Sequence, residues 1–209
     1  GASYKNKKSC TFGDASATSF FPAKPLGCYG DGGAIFTSNK LLHEKLLSIR
    51  VHGSGTDKYD NIRNGINGRL DTIQAAVLLQ KLKIFDDELK SRYKNYIFYK
   101  KYLEGSYSIQ KISNNHFSSF AQLAILAKNK KNRDLIMEKL RLNKIPNVIY
   151  YKNPLHLQKV NEDLGYTKGD LPISEDISNR VFSVPMHPYL KESEINFISS
   201  VLLKYKNHE

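Results

Sequence analysis

The chain has 209 residues, with 32 lysine and arginine residues against 20 aspartate and glutamate residues, and a formal net charge of +12. Hydrophobic residues make up 40% of it, which is enough for a core, but no run approaches the roughly 20 apolar residues that span a bilayer. The polar, lysine-rich start does not resemble a signal peptide, and two cysteines without metal-ligand spacing indicate reduced thiols. These features predict a cytoplasmic protein without a membrane partner, built from one large domain or two small ones.

The positive charge leaves binding of nucleic acid or another polyanion open as an alternative function. The densest basic run, residues 128–133, is short and contains no aromatic residue, which is typical of a solvated surface. We therefore predict no nucleic-acid partner, although the positive field would attract a ligand that carries a diphosphate. No cluster of histidine and acidic residues resembles a metal site, so we predict no bound metal.

The first third of the chain alternates short extended segments with loops. Residues 1–9 indicate a turn and a short strand, and two further strands are predicted at 10–21 and 33–37. Leucines at helical spacing predict a helix over 40–49, with Ser38 as its cap. The segment between the second and third strands is thereby predicted to be a loop.

A long loop and a long helix are predicted next. Residues 52–68 are dense in glycine, asparagine and aspartate and show no sustained period, which is typical of a functional or disordered loop. One helix follows over about 70–102, and we place the boundary between two domains, 1–85 and 86–209, within it. The apolar face of this helix consists of Ile73, Ala76, Val77, Leu79, Leu82 and Phe85.

The remainder of the chain predicts a smaller α+β domain, in which apolar runs and helical periodicity alternate. We predict strands at 119–127, 146–151 and 181–184, and helices at 132–142, 176–180 and 192–205.

The most informative segment surrounds Lys24. This lysine follows an aromatic apolar patch, precedes a cluster of glycines, and has the hydroxyl of Ser19 five residues before it. A lysine amine in a dry pocket loses its preference for the proton and becomes a nucleophile towards carbonyl groups, as a Schiff-base enzyme requires. A nearby hydroxyl can anchor a phosphate in the same pocket. The segment therefore favours Lys24 as a nucleophile and Ser19 as a phosphate ligand.

Several blocks resemble, in the same order, those of the DegT/StrS-type nucleotide-sugar aminotransferases, which use pyridoxal phosphate. The blocks are Ala2–Lys8, Phe12–Asp14, the Lys24 segment, Arg50–Gly53 and Gly65–Ala76. The resemblance covers nearly all of the chain, closely to about residue 87 and loosely beyond. It implies an α/β fold of the fold-type-I, aspartate-aminotransferase-like class, here lacking most of the N-terminal large domain and ending in a small α+β domain.

The resemblance also implies roles for individual residues. Lys24 would hold pyridoxal phosphate and move the proton during transamination. Ser19 and Asn67 would bind the cofactor's phosphate, Asn67 from across a dimer interface; a local cap and a turn residue are the respective alternatives. The candidate substrate contacts are Arg69, Tyr150 and Tyr151, for which a surface charge and an aromatic core pair are the alternatives.

The implied reaction transfers an amino group from glutamate to a nucleotide-linked keto sugar, in a homodimer with shared active sites. The Gly65–Ala76 block favours enzymes that make 3-amino sugars of UDP-linked uronic acids for surface glycans such as O-antigen. In the family, an aspartate that pairs with the cofactor ring lies just before the first of these blocks, so we expect this chain alone to be inactive. A non-catalytic remnant that binds a partner is the alternative, whereas Lys24 argues against a dehydratase relative with histidine there.

Overall fold

The computed structural model describes residues 1–57 and 59–207. These residues form two compact units, of which the first comprises Gly1–Leu89 and Ser113–Ser119. The second comprises Lys90–Ile112 and the described residues from Phe120 onwards. Lys58, which belongs to the loop predicted at 52–68, lies outside the described residues.

The strands and helices are short and alternate along the chain. The strands are β1 (Ser3–Tyr4), β2 (Lys7–Lys8), β3 (Ser16–Ser19), β4 (Gly33–Phe36), β5 (Ser108–Ile109), β6 (His116–Phe117), β7 (Leu123–Leu126) and β8 (Val181–Val184). The α-helices are α1 (Lys40–Arg50), α2 (Thr72–Leu82), α3 (Phe85–Leu103), α4 (Lys130–Leu142), α5 (Pro172–Arg180) and α6 (Glu192–Tyr205). Short 3₁₀ turns lie at Ser9–Thr11, Leu155–Leu157 and Lys159–Leu164.

The first unit contains two small antiparallel sheets. In one, β1 lies between β2 and β6. In the other, β3 pairs with β4 in a register that sets Ser16 opposite Phe36 and Ser19 opposite Gly33. The connection between β3 and β4 carries Lys24, so the antiparallel pair fixes both ends of the segment that the sequence analysis singled out.

The first unit departs from the predicted elements in two places. The strand predicted at 10–21 begins only at Ser16, because Gly13 adopts a left-handed backbone with φ +72° that interrupts an extended segment. The cap of α1 is Asn39 rather than Ser38, and the Asn39 side chain accepts the Leu42 N–H at 3.0 Å. Such an accepted N–H satisfies one of the unpaired donors at a helix start.

The helix predicted over 70–102 is two helices in the structure. At the break between α2 and α3, the Lys83 N–H donates to Gln80 O and the Ile84 N–H donates to Lys81 O, at 3.1 and 3.2 Å. These i to i−3 hydrogen bonds tighten the backbone locally and end the α-helical pattern. The first division between the two compact units along the chain falls between Leu89 and Lys90, within α3.

The predicted apolar face of α2 is largely exposed in this chain. Ile73 is 76% exposed and Leu79 is 62% exposed, whereas the neighbouring Leu78 is buried. Among the described residues of the first unit, the buried apolar side chains are Cys28, Leu78 and Leu89. The unit therefore buries little apolar surface by itself, and much of the surface that its sequence marks as core faces outward.

The second unit has a continuous apolar core. Its sheet is antiparallel with β7 between β5 and β8, and all four residues of β8 are buried. The helices α4 and α6 pack against each other beside this sheet. The fully buried side chains at its centre are Tyr99, Leu103, Leu123, Ile125, Ile136, Leu140, Phe182, Ile195 and Leu202.

Most predicted elements of the second unit are present, with changed bounds. The strand at 181–184 and the helix at 192–205 are as predicted. The strand predicted at 119–127 is confined to β7, and the helix predicted at 176–180 begins at Pro172, which suits a first helical turn. The strand predicted at 146–151 is only a bridge between Val148 and Ser183, since a proline at its start cannot donate to a ladder.

Candidate functional site

Lys24 lies on a turn directly after β3. Its backbone N–H donates to Phe21 O at 2.8 Å, which closes the turn. The Lys24 side chain is exposed, and Phe21 beside it is 51% exposed. The described residues of this chain therefore do not form the dry pocket that the sequence analysis expects around Lys24.

The backbone beyond Lys24 is folded back onto the end of β3. The Cys28 N–H donates to Phe20 O at 2.8 Å, and the Phe20 N–H donates to Gly32 O at the same distance. The buried Cys28 thiol contacts two carbonyl oxygens, those of Phe20 at 3.0 Å and Gly30 at 3.1 Å. These bonds close the segment between β3 and β4 into a defined loop, which we call the lysine loop (residues 20–32).

Helix α2 also contacts the lysine loop. The Gln74 side chain accepts the Tyr29 N–H at 2.7 Å, and the Lys81 ammonium donates to Gly27 O at 2.6 Å. Sequence reasoning missed both side chains. The available signal was their seven-residue spacing, which places them on one face of a helix.

Ser19 ends β3 on the side from which Lys24 follows. Its Oγ accepts the Phe21 N–H at 3.2 Å, and its side chain is exposed. Because this contact uses a lone pair of the hydroxyl, the hydroxyl proton can be donated to a second partner. The structure therefore places the predicted phosphate ligand and the predicted nucleophile on the same strand end.

Asn67 and Arg69 are in direct contact. Arg69 Nη2 donates to Asn67 Oδ1 at 3.2 Å, and both side chains are exposed. The backbone here is fixed by a bridge between Val51 and Asn67 and by the Gly68 N–H, which donates to Arg50 O at 2.8 Å. The contact orients the Asn67 amide so that its Nδ2 group can act as a donor.

Tyr150 and Tyr151 belong to the second unit. Their rings meet edge to face, with centroids 5.4 Å apart and an interplanar angle of 66°. Both line a cavity of about 880 Å³, whose other walls include Leu155, Tyr166 and Ile177. The two tyrosines are thus cavity residues rather than part of the buried core.

A part-buried contact between His156, which lines this cavity, and Glu175 was not predicted. His156 Nε2 lies 3.1 Å from Glu175 Oε1, and the Gly169 N–H donates to the same carboxylate oxygen at 2.7 Å. The Gly169 N–H and then the His156 contact hold the pKa of Glu175 below its ordinary value. The two partners are 19 residues apart, so no local spacing indicates the pair.

In residues 1–57 and 59–207, no three histidine, cysteine, aspartate or glutamate side chains are grouped so that they could hold a metal ion. Over the same residues, no helix combines the length and the apolar character needed to cross a membrane.

Comparison with known proteins identifies the family. The profile of the DegT/DnrJ/EryC1/StrS aminotransferase family matches residues 1–202. The chain belongs to this family. It is 40% identical over 203 residues to the UDP-2-acetamido-2-deoxy-3-oxo-D-glucuronate aminotransferase of Pseudomonas aeruginosa, and 37% identical over 212 residues to the pleiotropic regulatory protein of Geobacillus stearothermophilus. These alignments cover 97% and 100% of the chain but 55% and 56% of the relatives, so this family member spans about half their length.

Solved structures confirm the predicted fold class. A DegT/DnrJ/EryC1/StrS aminotransferase from Brucella abortus superposes with a TM-score of 0.91 at 43% identity, over 99% of this chain and 54% of that one. DesV of S. venezuelae, solved in complex with a ketimine intermediate, superposes with a TM-score of 0.92 at 27% identity, over 100% of this chain and 56% of DesV. This family member therefore has the fold of just over half of a fold-type-I aminotransferase.

Proposed function

We propose that this chain supplies the cofactor lysine of a sugar aminotransferase that uses pyridoxal phosphate. The observation that carries the proposal is the position of Lys24, on a closed turn at the end of β3 beside the Ser19 hydroxyl. This arrangement occurs in a chain that is 40% identical to an enzyme named as an aminotransferase of a UDP-linked keto sugar. This cofactor needs an amine that reacts with its aldehyde. It also needs donor groups for its phosphate, such as a hydroxyl and an amide.

Lys24, Ser19 and Asn67 would each contact a different part of the cofactor. When bound, pyridoxal phosphate supplies an aldehyde that carries the amino group and a ring that withdraws electrons from the adjacent carbon. Lys24 Nζ would bind the aldehyde carbon, whose oxygen would leave as water. Once the amino group of the substrate has displaced it, the free lysine amine would take and return a proton at the amino-bearing carbon of the substrate. The Ser19 hydroxyl would donate to a phosphate oxygen. Asn67 Nδ2 would donate to the phosphate of a cofactor held by a second subunit.

The substrate contacts would come from a guanidinium and two aromatic rings. Arg69 uses Nη2 for Asn67, and its remaining N–H groups are suited to a carboxylate or a diphosphate. Tyr150 and Tyr151 would contact the sugar from the wall of their cavity. Since the Lys24 side chain is exposed here, water must be excluded from it by protein outside the described residues.

The names of the relatives support a UDP-linked 3-keto sugar as the substrate, whereas glutamate as amino donor and a surface glycan such as O-antigen as destination rest on the family resemblance alone. One relative is named for a UDP-linked 3-oxo-glucuronate, and another, from Acidithiobacillus ferrooxidans, for UDP-N-acetyl-3-dehydro-α-D-glucosamine. A third, from Aneurinibacillus thermoaerophilus, is named for a dTDP-linked sugar. The 3-amino position is therefore better supported than the nucleotide base.

A homodimer with shared active sites fits the exposed apolar surface of the first unit. Ile73, Leu79 and Phe21 are each more than half exposed, and covering such apolar side chains with a second chain is favourable. The same surface favours a second candidate function, that of a non-catalytic fragment which binds a partner chain. The two candidates differ in whether Lys24 reacts with the cofactor.

Reductive trapping tests the proposal. The 209-residue chain is incubated with pyridoxal phosphate, reduced with borohydride and digested, and the peptides are weighed by mass spectrometry. We expect one reduced cofactor on the Lys24 peptide, its loss in Lys24→Ala, and its retention in Lys40→Ala, which removes another exposed lysine of the same unit. Labelling spread evenly over the surface lysines would contradict the proposal. Without a further chain, we expect no transfer of the amino group from glutamate.

A further inference from the structure

Two side chains of α2 hold the lysine loop at Gly27 and Tyr29. Lys81 contacts the Gly27 carbonyl at 2.6 Å, and Gln74 contacts the Tyr29 amide at 2.7 Å. Between them, the buried Cys28 thiol contacts the carbonyls of Phe20 and Gly30. The held segment begins three residues after Lys24, so both sides of the lysine's turn are fixed to neighbouring structure.

The loop lies so close to α2 that a side chain added at Gly30 would crowd Gln74. A Cβ atom added to Gly30 would lie 3.0 Å from Gln74 Nε2. Gln74 and Lys81 are themselves half-buried, which lowers the conformational freedom of their side chains and suits them to a fixed contact. The contacts are therefore part of a packed interface between the helix and the loop.

We propose that Gln74, supported by Lys81, is a positioning residue for Lys24. The inference rests on the proposed function of Lys24. A nucleophile reacts efficiently only when its position is fixed relative to the reacting carbon, and Lys24 is on a loop without secondary structure of its own. Gln74 acts through the backbone, by keeping the Tyr29 end of the loop in place and with it the turn from Phe21 to Lys24.

Hydrogen exchange of the intact 209-residue chain tests the inference without the cofactor. In Gln74→Ala, we expect the amides of Tyr29 and Lys24 to exchange about five-fold faster, which corresponds to one hydrogen bond of about 1 kcal/mol. The Leu78 amide within α2 should not change, which separates a local effect from general destabilisation. Gln74→Glu keeps an oxygen acceptor at the same reach and should restore slow exchange.

Gln80→Ala is the matched control, since it makes the same substitution on the same helix. Gln80 contacts Lys83, and we expect exchange in the lysine loop to stay at the wild-type rate. The inference is overturned if the Lys24 amide is unchanged in Gln74→Ala, or if Gln80→Ala accelerates it equally. Faster exchange of Tyr29 alone would overturn it too, because Gln74 would then hold the distal part of the loop without positioning Lys24.

Cofactor trapping gives a second readout and separates the two proposals. Gln74→Ala should lower the rate of trapping on Lys24 about five-fold, and Gln74→Glu should restore it, whereas Gln80→Ala should leave it at the wild-type rate. A wild-type chain that traps no cofactor on Lys24 refutes the proposed function, and the exchange experiment still decides whether Gln74 holds the turn.

Discussion

Removal of the Tyr99 hydroxyl should destabilise the second unit by an amount that depends on pH. Tyr99 lies on α3 with its side chain fully buried, and its hydroxyl donates to Pro185 O at 2.9 Å. Tyr99→Phe deletes this donor and leaves the Pro185 carbonyl without the hydrogen bond from Tyr99. Loss of a buried hydrogen-bond partner costs about 1–3 kcal/mol, so we expect a decrease of this size in the free energy of unfolding near pH 8.

The effect should become smaller in alkali. Burial, and then the negative charge of Glu194, raise the pKa of Tyr99 above its ordinary value of 10.0. When folding raises the pKa of a side chain, the resulting contribution to the free energy of unfolding is complete below the unfolded-state pKa. It is lost as pH rises towards the folded-state pKa, because the unfolded chain ionises first. At about pH 11 this loss amounts to about 1.4 kcal/mol for one tyrosine. Phenylalanine cannot ionise, so the cost of Tyr99→Phe should shrink by that amount.

Urea unfolding followed by circular dichroism at about pH 8 and pH 11 measures both quantities. Circular dichroism is preferable to fluorescence, because the chain has no tryptophan and tyrosine emission changes when tyrosine ionises. Tyr151→Phe, at a side chain that is 70% exposed, is the control and should follow the wild type at both pH values. A cost of Tyr99→Phe that is equal at both pH values would refute the reasoning.

Three further predictions concern other parts of the chain. Leu140→Ala should lower the free energy of unfolding by about 2–5 kcal/mol, because Leu140 is fully buried. Leu142→Ala, at a 68% exposed residue of the same helix, should lower it by under about 1 kcal/mol. Equal decreases in urea unfolding would contradict the described core. Because the pKa of Glu175 is lowered, its stabilising effect is present above pH 4.5 and is lost as pH falls below that value. The melting temperature of Glu175→Gln should therefore vary less than that of the wild type between about pH 5 and pH 3. An unchanged pH dependence would refute the stabilisation of the Glu175 carboxylate by the Gly169 N–H and His156. Gly27→Ala should slow cofactor trapping on the lysine loop, since its Cβ would lie 2.6 and 2.7 Å from two backbone carbonyl oxygens; wild-type trapping would show that the loop adapts at no cost.

Local patterns in the sequence predicted the elements that depend on neighbouring residues. Helical periodicity predicted α6, and a continuous apolar run predicted β8, with the bounds that the structure has. The family blocks predicted the family and the fold class, which the comparisons confirm. Where local rules allow two answers, the prediction failed: Ser38 and Asn39 can both cap a helix, and only the backbone geometry selects Asn39.

The candidate site was predicted only in its chemistry. Lys24, Ser19 and Asn67 were selected by residue type and by the resemblance, and their roles stay predictions. The described residues leave Lys24 exposed, which its sequence neighbours do not indicate, because a sequence shows which side chains lie near each other along the chain but not which ones are covered.

The sequence by itself determined most helices and strands and the candidate reactive and binding side chains, because these depend on residues within a few positions of each other. Contacts across long separations were decided by the tertiary structure, such as Tyr29 with Gln74, 45 residues apart, and His156 with Glu175. The structure also decided which apolar faces are covered: Ile73 and Leu79 carry the period of a core-facing helix yet are exposed. Hydrophobic periodicity indicates that one face of a helix is suited to burial. Only the tertiary structure shows whether residues of the same chain cover that face.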